Sequence, residues 1–348
     1  MSDADSSRWR SVVLGPSKVE YGPEGSGAFL QPLNDSSLIL ERGDWVGLRS
    51  ALARDGYLFL PGSLPAADVL AARRMLLSRF SERKDILNPD KSIEEGILAE
   101  RCGIGCVPFL EGRNEVTHSD EMLRVFEGEA IQNIFRGIFA TDAVRTFDFK
   151  WLRAVPKQKF TGAHVDAVYM SRGSSKLLTS WIPFGPNPLE RGALCVLEKS
   201  HNDPNFERLR STYGKMDHER DRLEGSGWLT DDPRELHELF GPCQWKTADF
   251  KAGDLLLFTM QTVHMSTTNV TDYARVSADV RWQPASDPAD PRYVADGDLD
   301  AFLSSMKMSG AHSKNKSKSS PDAEGGGKTM TQFRIEWGFG PPKNPSFV

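Results

Sequence analysis

The sequence predicts a mainly β protein with flanking helices, built as a double-stranded β-helix, or jelly roll. Three observations predict this fold class. β-branched and aromatic residues dominate from about position 145, and Gly, Pro, Asn and Asp interrupt them at short intervals. Long helical patterns are confined to the first 140 residues. Residues 275–281 alternate strictly between polar and apolar side chains, which is typical of a strand with two different faces.

The first 140 residues predict three helices and one short strand. Residues 44–55 carry apolar side chains at helical spacing, and a turn then leads into the strand 57–60. Pro65 stands where a second helix begins. Ser119 is a good N-cap for a helical block that runs to Phe139. Residues 9–42 mix short apolar runs with Gly and Pro, which indicates short strands and loops on the outside.

The second half of the chain predicts a series of short strands separated by turns. Their spacing indicates an antiparallel sandwich or jelly roll. The predicted strands are Thr146–Val155, Phe160–Val168, Leu177–Pro183, Ala193–Leu197, Leu255–Met260, Val263–Thr268 and Ala274–Gln283.

We expect a single domain over residues 1–348. A long charged segment between core strands is typical of a lid, and a Ser-, Lys- and Gly-rich segment is typical of a mobile loop. A short helix is expected at about 330–337. The expected parts are an N-terminal arm (1–42), a helical and irregular flanking part (43–140), a jelly-roll core (141–285) with a lid insertion (201–244), and a C-terminal part (286–348) with a mobile loop (309–328).

Composition restricts the expected partners. The formal net charge of −5 disfavours nucleic acid, whose binding proteins usually carry a basic excess. The acidic N-terminus does not resemble a secretory signal, and no apolar run approaches the length of a membrane span. We therefore expect a soluble intracellular (cytoplasmic) protein with a small-molecule substrate and no membrane or nucleic-acid partner. The four cysteines form no C-x-x-C pair and are expected to be reduced thiols.

His164 and Asp166 are the first candidate metal ligands. They lie two residues apart in an apolar, β-prone run, and positions i and i+2 of a strand point to the same face. A histidine and a carboxylate on one face are two ligands of a 2-His-1-carboxylate site, which holds non-heme Fe(II) and leaves positions open. Two other His-x-Asp triplets have ordinary roles: residues 118–120 begin a helix, and residues 201–203 form a turn.

The third ligand must be a distant histidine, and His264 is the favoured candidate. It follows a turn and a nearly continuous apolar run, residues 253–260, and opens the next predicted strand. A lone histidine in such a place is often a buried core residue. His218 and His237 lie in the charged insertion, where a solvated side chain is expected, and His201 lies in a turn.

The alternating segment 275–281 (RVSADVR) leaves two interpretations open. Its polar face could line a cavity, or it could lie exposed on the outside of the sheet. Inside a barrel, Arg275 and Arg281 would need anions to offset the cost of burial. Asp279 can neutralise one of them, and the other would favour a dicarboxylate ligand.

Taken together, these residues resemble the phytanoyl-CoA dioxygenase family of Fe(II)- and 2-oxoglutarate-dependent oxygenases. The family pattern is H-x-D, a distal His, and an Arg after ten intervening residues, which here are His164, Asp166, His264 and Arg275. A Ser two residues after the distal His and a Trp on the strand after H-x-D are also usual. Ser266 and Trp181 fill those places. Residues 198–201 (EKSH) depart from the usual Pro-Gly-Ser-His.

The resemblance implies a role for each of these residues. His164, Asp166 and His264 would be the catalytic Fe(II) ligands, and 2-oxoglutarate would chelate the same metal. Arg275 would pair with the distal carboxylate of 2-oxoglutarate, with Ser266 adding a hydrogen bond and Trp181 forming a pocket wall. Arg281 competes with Arg275 for this role. Lys150 or Trp151, on the strand before H-x-D, would also border the pocket.

The implied activity is an oxidoreductase that uses O2 and 2-oxoglutarate to hydroxylate or otherwise oxidise a small organic substrate, releasing succinate and CO2. Related halogenases lack the carboxylate ligand, so Asp166 favours hydroxylation or a related oxidation. The alternative is a non-catalytic or hydrolytic cupin-like protein that binds a small molecule through the same metal pocket. The substrate and the oligomeric state are not readable from the sequence.

Overall fold

A computed structural model describes residues 9–83, 85–100, 102, 110–221, 227–296, 299–300, 302–304 and 330–338. Within these residues the strands form a six-stranded and a seven-stranded sheet. The first has the order β1-β2-β3-β10-β9-β12, where β1 is Arg10–Leu14, β2 Ser17–Tyr21, β3 Leu30–Pro32, β9 Leu194–Leu197, β10 Trp245–Thr247 and β12 His264–Ser266.

The seven-stranded sheet has the order β4-β11-β8-β13-β7-β5, with β6 also paired to β13. All of its pairs are antiparallel. The long strand β13 lies near its middle, between β8 on one side and β6 and β7 on the other. The bounds are β4 Tyr57–Leu60, β5 Leu110–Gly112, β6 Val144–Thr146, β7 Lys150–Val155, β8 Leu178–Pro183, β11 Leu255–Thr259 and β13 Arg275–Pro284.

Helices cover the outer face of the seven-stranded sheet. The five early helices are amphipathic segments whose apolar side chains pack on the sheet, and further short helices come later among the described residues. The helices are α1 Ser37–Glu41, α2 Trp45–Asp55, α3 Ala66–Ser81, α4 Asp120–Glu127, α5 Glu129–Phe139, α6 Glu207–Ser211, α7 Arg234–Phe240 and α8 Met330–Glu336.

Two apolar cores follow from this layering. The inner core lies between the sheets and contains, for example, Val196 from the six-stranded sheet and Trp181 from the other. The outer core lies between the seven-stranded sheet and the helices, and contains Ile182 and Val280 with Leu76 of α3. Alternate residues of one strand enter different cores because successive side chains point to opposite faces. This architecture confirms the predicted mainly β jelly roll with flanking helices.

The helices confirm the sequence pattern with one correction. The block predicted as one helix over 119–139 is two, because Gly128 has an extended backbone with ψ 164° that ends α4 and begins α5. Ser119 is the N-cap of α4, and its hydroxyl accepts a hydrogen bond from the Met122 N–H at 3.4 Å. Gly56 ends α2 in the left-handed region at φ 85°, as the predicted turn requires.

The predicted strand Phe160–Val168 is wrong. Ala163 and His164 form only isolated antiparallel bridges, to Thr230 and His264, and Asp166–Val168 is a turn of 3-10 helix. The run is apolar because Ala163, Val165 and Val168 are buried, and a short apolar run does not by itself distinguish a strand from another buried segment. The predicted strand Thr146–Val155 is likewise two strands, β6 and β7.

The segments expected to be an N-terminal arm and a lid insertion are part of the main sheets and core. The N-terminal residues 10–32 supply three strands of the six-stranded sheet. The insertion 201–244 contains α6 and α7, and its Phe206, Leu209 and Leu236 belong to the inner core. Residues 309–328, expected to be a mobile loop, lie outside the described residues.

The cysteines depart in part from the sequence expectation. Cys195 and Cys243 are free thiols, but Cys102 is disulfide-bonded, so the expectation of reduced thiols is wrong for that residue. Cys106 lies outside the described residues. None of the described helices combines the length and the apolar composition that crossing a membrane requires.

Candidate metal centre

His164 and His264 lie opposite each other on two adjacent backbone segments that form an isolated antiparallel bridge. His264 begins β12, whose residues pair with β9, and His164 lies in the short bridge before the 3-10 turn. Their ring centroids are 4.1 Å apart, and both side chains are buried. Backbone pairing therefore brings together two imidazoles that are 100 positions apart in the sequence.

Asp166 completes the cluster. Its Oδ1 lies 3.8 Å from His164 Nε2 and 3.7 Å from His264 Nε2. One ligand atom from each residue lies within 4.8 Å of the others, and these three form the group found among the described residues that could hold a metal ion. Bonds of about 2.0–2.2 Å from one ion to N and O ligands fit these separations.

The ring nitrogens that face away from the cluster are hydrogen-bonded to the backbone. His164 Nδ1 lies 2.8 Å from the Gly162 carbonyl, and His264 Nδ1 lies 3.0 Å from the Thr262 carbonyl. A carbonyl only accepts, so each Nδ1 must carry the proton. Each Nε2 then presents its lone pair to the cluster, which is the tautomer that a metal ligand needs.

The second oxygen of Asp166 is held by two donors. Oδ2 accepts a hydrogen bond from Thr179 Oγ1 at 2.6 Å and another from an Arg281 terminal nitrogen at 3.0 Å. These bonds orient the carboxylate and leave Oδ1 directed at the imidazoles. The arrangement favours monodentate ligation through Oδ1.

Burial sets the protonation states. It lowers the pKa of His164 to about 3, with the positive charge of a protonated His264 adding to the effect, and it also lowers the pKa of His264. Burial alone would raise the pKa of Asp166, but the charge of Arg281, with the hydrogen bond from Thr179 adding to it, holds that pKa well below its usual range. At neutral pH the cluster therefore offers two neutral imidazoles and one carboxylate.

The polar face of β13 lines the interior near this cluster. All ten residues of the strand are buried, and Val276, Ala278 and Val280 lie in the outer core beneath the helices. Arg275 and Arg281 are on the opposite face, and Arg281 reaches Asp166. The structure thus confirms the period-2 pattern. Of the two interpretations left open by the sequence, it shows that the polar face of the strand lines the interior and is not exposed on the outside of the sheet.

The ion pairs on this face differ from expectation. Asp279 was expected to neutralise Arg275 or Arg281, but its carboxylate pairs with Arg153 of β7, 2.5 Å away. Asp166 takes Arg281 instead. The pairing follows the register, because Asp279 lies opposite Trp151 on β7 and beside Arg153.

Arg275 is left without an ion-pair partner among the described residues. Its side chain is buried, one terminal nitrogen donates to the Ser277 hydroxyl at 2.5 Å, and its Nε has no hydrogen-bond partner in the described part of the chain. Burial lowers the pKa of Arg275 to about 10, which leaves it charged at neutral pH. A buried guanidinium with unused donors is suited to an anionic ligand.

The remaining predicted residues divide into two groups. Ser266 is buried on β12, where its hydroxyl accepts from the Thr161 N–H at 2.8 Å, and Trp181 is buried in the inner core against Phe250. Lys150 is not brought to the cluster. Its ammonium pairs with Glu127 of α4 at 2.7 Å and donates to the Phe147 carbonyl at 2.6 Å, on the helix-facing side of β7.

The other candidate histidines lie elsewhere. His201 bonds to the Ala53 carbonyl, His237 stacks on Phe29, and His218 packs near Tyr169. Sequence reasoning missed Thr179, the donor to Asp166. A signal existed, because Thr179 lies two residues before Trp181 and therefore on the same inward face of β8.

The fold and the cluster together define a class of protein: a jelly roll with a buried His–Asp–His site able to bind a metal ion. The model of the family described as phytanoyl-CoA dioxygenase (PhyH) matches residues 52–277. The chain belongs to the phytanoyl-CoA dioxygenase (PhyH) family, as the sequence motifs predicted. A search of curated proteins found no match.

Several solved structures resemble this chain. One is the epimerase SnoN in complex with Fe3+, alpha-ketoglutarate and nogalamycin RO, with 20% identity, a TM-score of 0.48 and coverage of 84% of this chain and 98% of that one. The carbocyclase SnoK from nogalamycin biosynthesis has 19% identity, a TM-score of 0.48 and coverage of 74% and 88%. EctD from S. alaskensis has 19% identity, a TM-score of 0.47 and coverage of 81% and 86%.

Family membership and the His–Asp–His cluster support an oxidoreductase of the iron- and 2-oxoglutarate-dependent oxygenase type. They agree with the cofactors expected from the sequence, namely iron, 2-oxoglutarate and O2. The donor set fits this assignment, since two imidazoles and one carboxylate are the ligands of the non-heme Fe(II) oxygenases.

Proposed function

We propose that the protein is an Fe(II)- and 2-oxoglutarate-dependent dioxygenase that hydroxylates, or otherwise oxidises, a small organic substrate with release of succinate and CO2. The observation that carries the proposal is the convergence of His164 Nε2, His264 Nε2 and Asp166 Oδ1 in a buried site. All three atoms are in the protonation state that binds a metal. In this proposal these three residues hold the iron.

The cosubstrate site is proposed on the same interior face. Arg275 pairs with the distal carboxylate of 2-oxoglutarate, because it is buried, charged and has an unused Nε–H. Ser266 adds a hydrogen bond, since its hydroxyl accepts from Thr161 and keeps its own proton free to donate. Trp181 walls the site and excludes water. Lys150 has no part in it, because its ammonium is engaged with Glu127.

When bound, iron and 2-oxoglutarate supply the oxidising chemistry, which couples O2 and decarboxylation of the cosubstrate to oxidation of the substrate. The protein's residues bind, orient and shield these groups. Thr179 and Arg281 fix the Asp166 carboxylate, and the backbone carbonyls of Gly162 and Thr262 fix the imidazole tautomers. A carboxylate at position 166 favours hydroxylation or a related oxidation over halogenation.

The test is anaerobic titration of the full-length protein with Fe(II) and 2-oxoglutarate. A weak visible charge-transfer band is expected, and it should disappear in His164→Ala and in His264→Ala. His201→Ala is the matched control, because it removes a histidine from another His-x-Asp triplet and should keep the band. Binding of Fe(II) without 2-oxoglutarate would instead favour a hydrolytic cupin-like protein, and binding of neither would favour a non-catalytic scaffold. A succinate-release screen over candidate substrates then tests the reaction itself.

A further inference from the structure

The guanidinium of Arg281 is buried beside the metal centre with most of its donors unused. Its side chain is 3% exposed, and one terminal nitrogen donates to Asp166 Oδ2 at 3.0 Å. Its Nε and its other terminal nitrogen are buried and have no hydrogen-bond partner among the described residues. Because a buried donor that lacks an acceptor destabilises the folded protein, these donors indicate a missing acceptor.

The neighbouring carboxylates cannot supply that acceptor. Asp166 Oδ2 already accepts from Thr179 and Arg281, and its Oδ1 faces the two imidazoles. Asp279 is paired with Arg153. None of these carboxylates is available to the free side of Arg281, and an acceptor on a bound molecule would fit there.

The charge balance of the loaded site points to an anion. With the neutral Arg153–Asp279 pair set aside, two buried guanidiniums, Arg275 and Arg281, face one buried carboxylate, Asp166. This leaves one excess positive charge. A ferrous ion adds two positive charges and 2-oxoglutarate brings two negative ones, so the excess remains. A substrate with one negative charge would neutralise it, and buried uncompensated charge is costly.

One molecule of 2-oxoglutarate does not meet both arginines. Arg275 and Arg281 are six residues apart on one strand, so their Cα atoms are about 20 Å apart. Arg275 has its own unpartnered Nε, and it lies at the opposite end of the strand from Arg281. With Arg275 assigned to the cosubstrate, Arg281 is available for a second ligand.

The surroundings of Arg281 are aromatic. Its guanidinium carbon lies 4.7 Å from the centre of the Trp151 ring, and Trp151 contacts Tyr293 and Phe149 with ring centroids 5.0 and 4.5 Å away. Phe149 and Tyr293 are only partly buried. They form an apolar surface next to a cation, which suits a ligand with an acidic end and an apolar body.

We propose that Arg281 binds the carboxylate of the organic substrate, and that this substrate is a small monocarboxylic acid whose carbon skeleton packs on Trp151, Tyr293 and Phe149. The assignment rests on the proposed function, because it places the substrate beside the iron. It makes Arg281 a specificity-determining residue and separates it from Arg275, which binds the cosubstrate.

The experiment compares acids with their uncharged amides. Three probe pairs are titrated into the full-length protein loaded with Mn(II) and 2-oxoglutarate under nitrogen, where no turnover occurs: benzoate and benzamide, 3-phenylpropanoate and its amide, and hexanoate and its amide. Affinity is measured by calorimetry. Broadening of the probe's proton NMR signals by Mn(II) reports whether the probe lies near the metal.

In the wild-type protein at least one acid should bind about tenfold or more tightly than its amide and be broadened by Mn(II). Arg281→Gln should bring that acid-to-amide ratio to about one, and Arg281→Lys should keep part of it. The affinity for 2-oxoglutarate should stay within about threefold. Thr179→Val is the matched control, because it removes the other donor to Asp166 Oδ2 and should weaken Mn(II) binding without changing the acid-to-amide ratio.

Equal binding of all acids and amides by the wild type would overturn the proposal. So would a loss of 2-oxoglutarate affinity in Arg281→Gln as large as that in Arg275→Gln, because Arg281 would then be the cosubstrate residue. Failure of the wild type to take up Mn(II) and 2-oxoglutarate contradicts the proposed function instead. In that case the same titration without metal still decides whether Arg281 binds a carboxylate.

Discussion

His164 and His264 exchange two backbone hydrogen bonds, each with an N···O distance of 3.0 Å. This isolated antiparallel bridge holds the two imidazoles side by side without using any side-chain atom. The two functions of these residues are therefore separable: the backbone joins the six-stranded sheet to the turn that carries Asp166, and the rings provide the donors.

We expect His164→Ala and His264→Ala to abolish tight metal binding while leaving the fold intact. The bridge does not depend on the rings, so far-UV circular dichroism should be unchanged. Loss of a residue that only supports a metal ligand lowers metal affinity by up to about 100-fold. Loss of a ligand itself should lower it by at least that much. Competition titration with a Mn(II) or Fe(II) indicator measures this. Unfolding of both variants, together with metal loss, would contradict the separation.

Thr179→Val should weaken metal binding by about tenfold to 100-fold. The substitution conserves shape but removes the hydroxyl that holds Asp166 Oδ2 at 2.6 Å, so the carboxylate gains freedom to rotate. Ser180→Ala is the matched control, since its hydroxyl bonds to the Val280 carbonyl on the other face of β8. The prediction fails if both substitutions change metal affinity equally.

Arg275→Gln should raise the dissociation constant of 2-oxoglutarate by about 30-fold, the equivalent of about 2 kcal/mol for one partner of a buried charged pair. Metal affinity in the absence of 2-oxoglutarate should not change. Arg275→Lys should recover only part of the loss, because an ammonium cannot form the two parallel bonds of a guanidinium. Calorimetric titration of the Mn(II)-loaded protein gives both constants.

Glu127→Gln should destabilise the protein without affecting 2-oxoglutarate binding. The substitution leaves the fully buried Lys150 ammonium with two neutral acceptors, Thr146 and the Phe147 carbonyl. Glu127 is partly exposed, so we expect a loss of about 1–3 kcal/mol in the free energy of unfolding, below the usual value for a fully buried pair. Urea unfolding measures it. A large change in 2-oxoglutarate affinity would contradict this prediction and indicate that Lys150 contributes to the cosubstrate site.

Protonation of His118 in mild acid should lower the free energy of unfolding. Burial, with the charges of Arg113 and Lys150, lowers its pKa to about 4. The unfolded chain, with a histidine pKa of about 6.5, then binds more protons than the folded chain between about pH 6.5 and pH 4, so stability falls as the pH is lowered through this window. His118→Gln should flatten the dependence. Urea midpoints at pH 7 and pH 5 for both proteins test it, and identical differences would exclude a role for His118.

Much of the architecture could be predicted because its signals are local. The alternation in 275–281 and the turn at Gly56 follow from the geometry of strands and turns, and both are found in the structure. The two histidine ligands could be chosen from seven histidines, and Asp166 with them, because a charged or titratable side chain inside an apolar run is unusual.

The details that failed depend on distances in space. No local pattern shows that Asp279 meets Arg153, because the choice between three arginines is made by the register of β7 against β13. The extended backbone at Gly128 interrupts a run whose helical spacing continues on both sides. The region around His164 reads as a strand because it is apolar, and only its contacts reveal a bridge followed by a 3-10 turn.

The central position of β13 has a consequence for how this protein can change. The strand is hydrogen-bonded on both sides and buried along its whole length. Deletion or insertion of one residue within it would turn every later side chain to the other face, and a guanidinium such as that of Arg281 would then enter the outer apolar core beneath the helices. A single substitution at position 281 leaves the alternation of the strand intact, whereas an insertion or deletion does not. New ligand preferences should therefore arise in this strand by substitution.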